Sequence, residues 1–129
     1  MKYLIGVLLL GMVACTKVEV AADGIVGNWN WVQSQGGIAG VTIKANENNK
    51  RTMFYGGDLT YRFFENGVEK SSGTYKLTTG KSITSTEVVP LIELSSNGIG
   101  KMSYHISSDT LYLFDEVYDG FGHTYVRAK

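Results

Sequence analysis

Apolar and polar residues alternate along most of this chain with a period of two, the spacing that predicts β-strands. The first such run begins at Gly27, where Trp29 and Trp31 share one face and Asn28 and Asn30 share the other. No later stretch carries a sustained helical period. The pattern therefore predicts an all-β fold.

Tight-turn signals divide the chain into short strands. Asn66-Gly67 lies between two alternating runs, which is the strongest short-range signal for a hairpin. Other turns are expected at Thr79-Gly80, Asn97-Gly98, Ser107-Ser108-Asp109 and Asp119-Gly120. The strands are expected at 51–64, interrupted by a pair of glycines, and at 68–77, 83–94, 99–106, 110–114 and 122–127.

Short strands joined in order by tight turns form a meander, and closing the meander into a barrel removes its free edges. We therefore predict a small closed or nearly closed antiparallel up-and-down β-barrel of about eight strands. In this barrel the first strand, which holds Trp29, pairs with the last strand, which holds Arg127.

Composition agrees with a single folded domain. The chain has 129 residues, enough for one core, and it is 43% hydrophobic and 19% charged. Its 12 basic and 12 acidic side chains balance, so no electrostatic footprint for nucleic acid is present. A nucleic-acid partner is therefore not expected.

The first residues have the anatomy of an export signal. Lys2 supplies a basic start, and the apolar run that follows is shorter than the roughly 20 residues that span a bilayer. The residues Met12-Val13-Ala14-Cys15 resemble the lipobox of bacterial lipoproteins. The resemblance implies a signal peptide over 1–14 and lipid attachment at Cys15, with a tether over 15–24. The strand pattern places the barrel domain over 25–129.

An ordinary signal sequence cleaved after Ala22 is the alternative interpretation of this leader. Cys15 is the only cysteine, so the exported domain has no intramolecular disulfide available. A lipidated Cys15 would attach the protein to a membrane of the cell envelope. Thr16 is not the Asp that resembles an inner-membrane retention signal, which indicates the outer membrane and leaves the periplasmic and surface faces both open.

The two ends of the barrel domain are similar to those of the lipocalin family. Gly27-Asn28-Trp29 resembles the Gly-x-Trp motif of lipocalins and the wider calycin superfamily, and Arg127 matches the basic residue that packs across that tryptophan. Such a stack contributes about 0.5 to 2 kcal/mol. The mature chain as a whole resembles compact lipocalin-like lipoproteins of the Bacteroidetes, which implies a barrel that holds a small apolar ligand.

Candidate ligand-binding residues follow from this resemblance. The connection from Ser34 to Asn49, with Ile38 framed by glycines, is expected to be either a lid across the barrel or a loose surface loop. Alternating residues of central strands would line the pocket, namely Tyr61, Phe63, Met102 and Tyr104. The competing interpretation is that these side chains fill the core.

Motifs of catalysis and metal binding are missing from the chain. It has neither Gly-x-Ser-x-Gly nor Ser-x-x-Lys, the usual settings of a serine nucleophile. The run that starts at Asp115 resembles a calcium loop, but Val117 and Val126 occupy ligand positions, so we interpret it as a charged turn in a hairpin. His105 and His123 are too far apart in sequence for a local metal motif. We therefore expect no enzyme activity, cofactor or metal.

Three function classes remain, and the missing motifs place an enzyme behind the other two. The first is a lipid-anchored binding protein of the cell envelope whose barrel holds a small, apolar molecule. The alternative is a barrel with a filled core and no small-molecule ligand that acts in protein interaction or inhibition. In that case the aromatic residues Tyr118 and Phe121 of the last hairpin are the expected docking groups.

Overall fold

The computed structural model describes residues 24–95 and 100–129. The regular elements assigned within these two ranges are nine β-strands. In chain order they are β1 (Gly27–Gly36), β2 (Val41–Lys44), β3 (Arg51–Tyr55), β4 (Thr60–Glu65), β5 (Val68–Lys81), β6 (Val88–Leu94), β7 (Met102–Ser107), β8 (Thr110–Asp115) and β9 (Phe121–Arg127). The proposed signal peptide, the lipid-attachment residue Cys15 and the turn at Asn97-Gly98 lie outside the described residues.

Eight of these strands close into an antiparallel barrel. The order is β1-β3-β4-β5-β6-β7-β8-β9, each strand beside the next, and β9 returns to pair with β1. Trp29 stands directly opposite Arg127 in that closing pair. The predicted closed barrel of about eight strands, joined through its first and last strands, is confirmed.

The ninth strand, β2, corrects the interpretation of the first connection. β3 pairs with β1 only as far as Asn30, which leaves the same edge of β1 free from Gln33 onward. β2 pairs with that free part through a tight turn, in which Gly40 N donates to Gly37 O at 3.2 Å. The segment is therefore an ordered hairpin rather than a lid or a loose loop, because the exposed edge of β1 offers it backbone partners.

Of two turns predicted from the sequence, one is confirmed and the other is wrong. Asn66 and Gly67 both have positive φ, 50° and 79°, as the expected two-residue hairpin requires. The turn expected at Thr79-Gly80 is wrong, because β5 continues through both residues to Lys81. Gly80 serves close packing instead, since a Cβ there would lie 2.8 Å from Leu91 Cδ1. β6 consequently begins at residue 88 rather than near 83.

The segment 82–87 between β5 and β6 lies against the turn after β8 and is held by one carboxylate. Glu116 accepts hydrogen bonds from Ile83 N at 2.6 Å and from Ser82 Oγ at 3.0 Å. Burial raises the pKa of Glu116, but these hydrogen bonds, together with one from Ser103, bring it below its ordinary value. Glu116, in the charged turn after β8, therefore holds the 82–87 segment in place.

The barrel interior is filled by the inward-facing residues of all eight strands. Trp29 and Trp31 are both buried, as their alternation predicts. The rest of the core is aromatic and aliphatic and includes Tyr55, Tyr61, Tyr75, Ile92, Tyr104, Leu111 and Leu113. Packing therefore fills most of the interior, as expected for an eight-stranded barrel.

Candidate ligand site at the open end of the barrel

The end of the barrel at which β1 begins is closed by Arg127. Its guanidinium lies 4.2 Å from the centre of the Trp29 ring. Nη1 donates to Val26 O at 3.0 Å, and Nη2 donates to Gly24 O at 2.8 Å. The stacked cation therefore also ties the segment before β1 across the barrel end.

Two further residues complete this closed end. Ile25 is almost fully buried, and its carbonyl accepts a hydrogen bond from Trp29 Nε1 at 2.7 Å. Gly27 has φ +135°, and a Cβ there would lie 2.9 Å from Arg127 Nη1. The glycine of the Gly-x-Trp sequence is thus required by the close approach of the arginine.

A cavity of about 220 Å³ lies at the opposite end, where β1 ends and β9 begins. We call this the open end. Its walls are mainly apolar and are formed by Met53, Phe63, Leu94, Met102, Leu113 and Tyr125. The lining also includes one cationic, one acidic and one imidazole side chain, namely Arg51, Asp115 and His123. The volume lies below the range of about 300 to 1,000 Å³ that holds drug-sized ligands, so any occupant is small.

The five ligand-site candidates chosen from the sequence fall into three groups. Phe63 and Met102 line the cavity. Tyr61 and Tyr104 are buried in the core, where Tyr61 Oη is 2.9 Å from Ser71 Oγ. Ile38 lies in the turn between β1 and β2, 91% exposed, and is not among the lining residues.

A β-bulge in β1 places a polar residue inside this end of the barrel. The pairing of β1 with β9 shifts register between Trp31 and Gln33, so one extra residue is accommodated at Val32. As a result Ser34, rather than Gln33, follows Trp31 on the inner face. Ser34 is only 3% exposed.

Ser34 belongs to a continuous polar network at the open end. Trp31 Nε1 donates to Ser34 Oγ at 2.9 Å, and Ser34 Oγ lies 2.7 Å from His123 Nδ1. Because a carboxylate only accepts, His123 Nε2 donates to Asp115 Oδ1 at 3.1 Å, and in the neutral ring Nδ1 then accepts from the Ser34 hydroxyl. The other oxygen, Asp115 Oδ2, accepts from Phe121 N at 3.1 Å.

The network also determines the protonation of Asp115. Burial raises the pKa of this carboxyl, whereas the hydrogen bonds from His123 and from Phe121 N, and the charge of His123, lower it. The lowering effects prevail, and the pKa lies below its ordinary value. Asp115 is therefore a carboxylate at neutral pH.

Ser34, His123 and Asp115 have the composition of a hydrolytic triad but a different geometry. In a serine hydrolase His Nε2 faces the serine and Nδ1 faces the carboxylate, and here the two nitrogens are exchanged. Ser34 also accepts a hydrogen bond from Trp31 and does not line the cavity. The three residues thus hold the His123 ring against the cavity wall instead of exposing a nucleophile.

Arg51 is the remaining charged group of the lining. Its guanidinium lies 4.2 Å from the centre of the Trp31 ring. Its Nε is buried and has no hydrogen-bond partner among the described residues. The open end therefore contains an unused donor beside an apolar cavity.

Comparisons with known proteins add no assignment to this geometry. No family model, curated protein or solved structure was found to match the chain. Within the described ranges, no cluster of three or more His, Cys, Asp or Glu side chains could hold a metal ion. No helix in those same ranges is long and apolar enough to cross a membrane.

Four residues of the open end were not among those selected from the sequence. Period two from Arg127 would have placed His123 on the inner face, and period two from Met53 would have placed Arg51 there. Asp115 was interpreted as part of a charged turn, although it ends β8. No sequence pattern predicted that Ser34 faces inward, because only the bulge at Val32 turns it inward.

Proposed function

We propose that this protein is a lipocalin-like lipoprotein of the cell envelope that binds a small molecule with a largely apolar body at the open end of its barrel. The observation that carries the proposal is the cavity of about 220 Å³ with walls from Phe63, Met102 and Leu113. In this proposal the protein is anchored through lipid on Cys15, acts without catalysis and resides at the outer membrane.

The two ends of the barrel support a binding role. One end is closed by Arg127 and Ile25, whereas the other keeps an unfilled space with a few convergent polar groups. Concave, mainly apolar sites with a small number of placed polar groups are typical of small-molecule binding. The Gly27, Trp29 and Arg127 arrangement supports the likeness to lipocalins.

Ligand binding is tested on the full chain by native mass spectrometry of protein isolated from its own membrane. We expect the wild type to carry a bound small molecule that Met102→Trp, which fills the cavity, does not retain. Val68→Trp is the control, because Val68 is exposed on the barrel surface. Retention of the same bound mass by Met102→Trp, or a wild type without any bound mass, would contradict the proposal.

Lipid anchoring is tested separately. Labelled palmitate supplied to growing cells should be incorporated into the wild type and into Thr16→Ser, but not into Cys15→Ala. The unlabelled Cys15→Ala chain should also leave the membrane fraction. Labelling of Cys15→Ala equal to that of the wild type would contradict attachment at Cys15. Absence of label from all three chains would also contradict it, and cleavage after Ala22 would then be the correct interpretation of the leader.

Protein recognition is a second candidate function, favoured by two exposed apolar side chains at the open end. Ile38 is 91% exposed and Tyr118 is 81% exposed. The two turns that contain them are neighbours, because the backbone of Gly36 packs against that of Gly120. A photo-crosslinking residue at 118 should then capture one discrete partner in intact cells. The same residue at 105, on the barrel wall, is the control.

A further inference from the structure

We propose that the ligand of the open end is a small aromatic monocarboxylate and that Arg51 binds its carboxylate. This inference deepens the ligand-binding function proposed above and rests on it. It assigns a charge and a size to a ligand that the likeness to lipocalins describes only as apolar.

The strongest observation is a difference between two arginines in the same kind of stack. Arg127 lies over Trp29 and Arg51 lies over Trp31, each with its guanidinium 4.2 Å from the ring centre. Arg127 donates to two backbone carbonyls of the chain itself. Arg51 donates to no acceptor among the described residues: its Nε is buried without a partner, and its Nη atoms, which are not among the buried atoms, are left for an acceptor in the adjacent cavity.

The contact with the Trp31 ring orients the Arg51 guanidinium for binding of a planar anion. A guanidinium that lies over a ring keeps its N–H donors in its own plane, where they match the two oxygens of a carboxylate. Arg51 follows the inward period of Met53 and Tyr55 on β3, and it lines the cavity together with Met53. The donor is therefore held at the cavity wall before any ligand arrives.

The charges of the cavity lining favour an anion over a cation. The oxygens of Asp115 are occupied by His123 Nε2 and Phe121 N, so this carboxylate is already solvated by the protein. Arg51 forms no ion pair with any residue in the described ranges. A ligand carboxylate would supply an acceptor and an ion-pair partner for the Arg51 guanidinium.

The size and the walls of the cavity limit the body of the ligand. A volume of about 220 Å³ corresponds to about seven water molecules at about 30 Å³ each, or to an organic molecule of about ten non-hydrogen atoms. Phe63 and the thioethers of Met53 and Met102 form much of the wall. Thioether and aromatic side chains make favourable contacts with an aromatic ring.

Three ligands of nearly equal size test the proposal on the full chain by calorimetric titration. Phenylacetate is anionic, phenylacetamide is neutral and phenethylamine is cationic. We expect phenylacetate to bind at least tenfold more tightly than either of the other two. In the nitrogen-15 spectrum, phenylacetate should also shift the guanidinium N–H resonances of Arg51 downfield, the signature of a new hydrogen bond.

Arg51→Met should remove the preference for the acid, so that it binds phenylacetate no more tightly than phenylacetamide. Measurable binding of phenylacetamide by this variant shows that the cavity is intact. Arg62→Met is the matched control, because Arg62 also lies over an aromatic ring, Phe64, but on the outside of the barrel and paired with Glu69. It should bind all three ligands as the wild type does.

The outcomes separate this inference from the function on which it rests. Equal binding of acid and amide by the wild type, tightest binding of the amine, or an unchanged preference in Arg51→Met would each overturn the carboxylate assignment and leave ligand binding in place. No binding of any of the three would overturn the assignment, and the mass-spectrometric result then decides ligand binding by itself. If Arg51→Met does not fold, the wild-type comparison of the three ligands decides.

Discussion

Arg127 stands directly opposite Trp29 in the register of β9 and β1, and its guanidinium lies 4.2 Å from the centre of the indole ring. The same guanidinium donates to Gly24 O and Val26 O. One side chain therefore joins the closing strand pair to the segment that plugs the barrel end.

Arg127→Met should destabilise the protein by about 2 to 4 kcal/mol, since it removes a cation–π contact and two hydrogen bonds from a charged donor. Chemical denaturation measures this loss. Arg62→Met, which removes an exposed ion pair with Glu69 and a contact over the Phe64 ring, should change the free energy of unfolding much less. Equal losses in the two variants would show that Arg127 does not hold the barrel end.

Gly36→Ala should destabilise the open end by about 2 to 3 kcal/mol. Gly36 has φ +151°, and a Cβ there would lie 2.4 Å from Gly120 O, so backbone atoms would have to move. Gly57→Ala is the control, because nothing lies within 4 Å of a Cβ at that position. A thermal melt of Gly36→Ala that matches the control would contradict this close packing of β1 against the last turn.

Asp115→Asn should lower stability at neutral pH by about 1 to 2 kcal/mol, because it weakens charge-assisted hydrogen bonds with His123 and Phe121 N. The pKa of Asp115 is lowered in the folded state, so its contribution is present above the unfolded pKa of about 3.9. It is lost as pH falls through the folded value. The difference between wild type and variant should therefore shrink below about pH 4.

Denaturation curves at pH 7 and pH 3 check this prediction. Asp119→Asn is the matched control, since Asp119 is an exposed turn residue with positive φ, which asparagine also adopts. If the free energy of unfolding differs between the wild type and Asp115→Asn by the same amount at both pH values, the carboxylate charge does not stabilise the network.

The burial of Tyr125 predicts that the protein loses stability at alkaline pH. Burial raises the pKa of its phenol to about 12, against an opposing effect of Arg51. The folded state therefore holds this proton after the unfolded chain, with a pKa of about 10, has released it. Stability is retained below pH 10 and declines as pH rises toward 12.

Tyr125→Phe should lose less stability than the wild type between pH 9 and pH 11, by about 1 kcal/mol, because it has no phenol to ionise. Tyr118→Phe, changed at an exposed position, should follow the wild type. Alkaline denaturation of all three chains provides the measurement. A Tyr125→Phe curve parallel to the wild type would contradict burial of an un-ionised phenol.

The repeating pattern of the strands was readable from the residues alone. Period-two alternation placed Trp29 and Trp31 inside, Asn66-Gly67 marked a hairpin, and the sequence near both ends indicated strands that pair with each other. The alternation and the hairpin are local features, since side-chain direction in a strand depends on parity and the turn depends on two residues that tolerate positive φ. The pairing of the two end strands was inferred from closing the meander and from the resemblance to lipocalins.

Tertiary structure alone decided the candidate site. The bulge at Val32 turns Ser34 inward, and Arg51 meets Trp31 only because β3 lies beside β1 in one register. Strand register and bulges depend on partners far away in sequence, so no local pattern specifies them. The residues determined which faces are apolar, and the closure of the sheet determined which polar side chains meet at its open end.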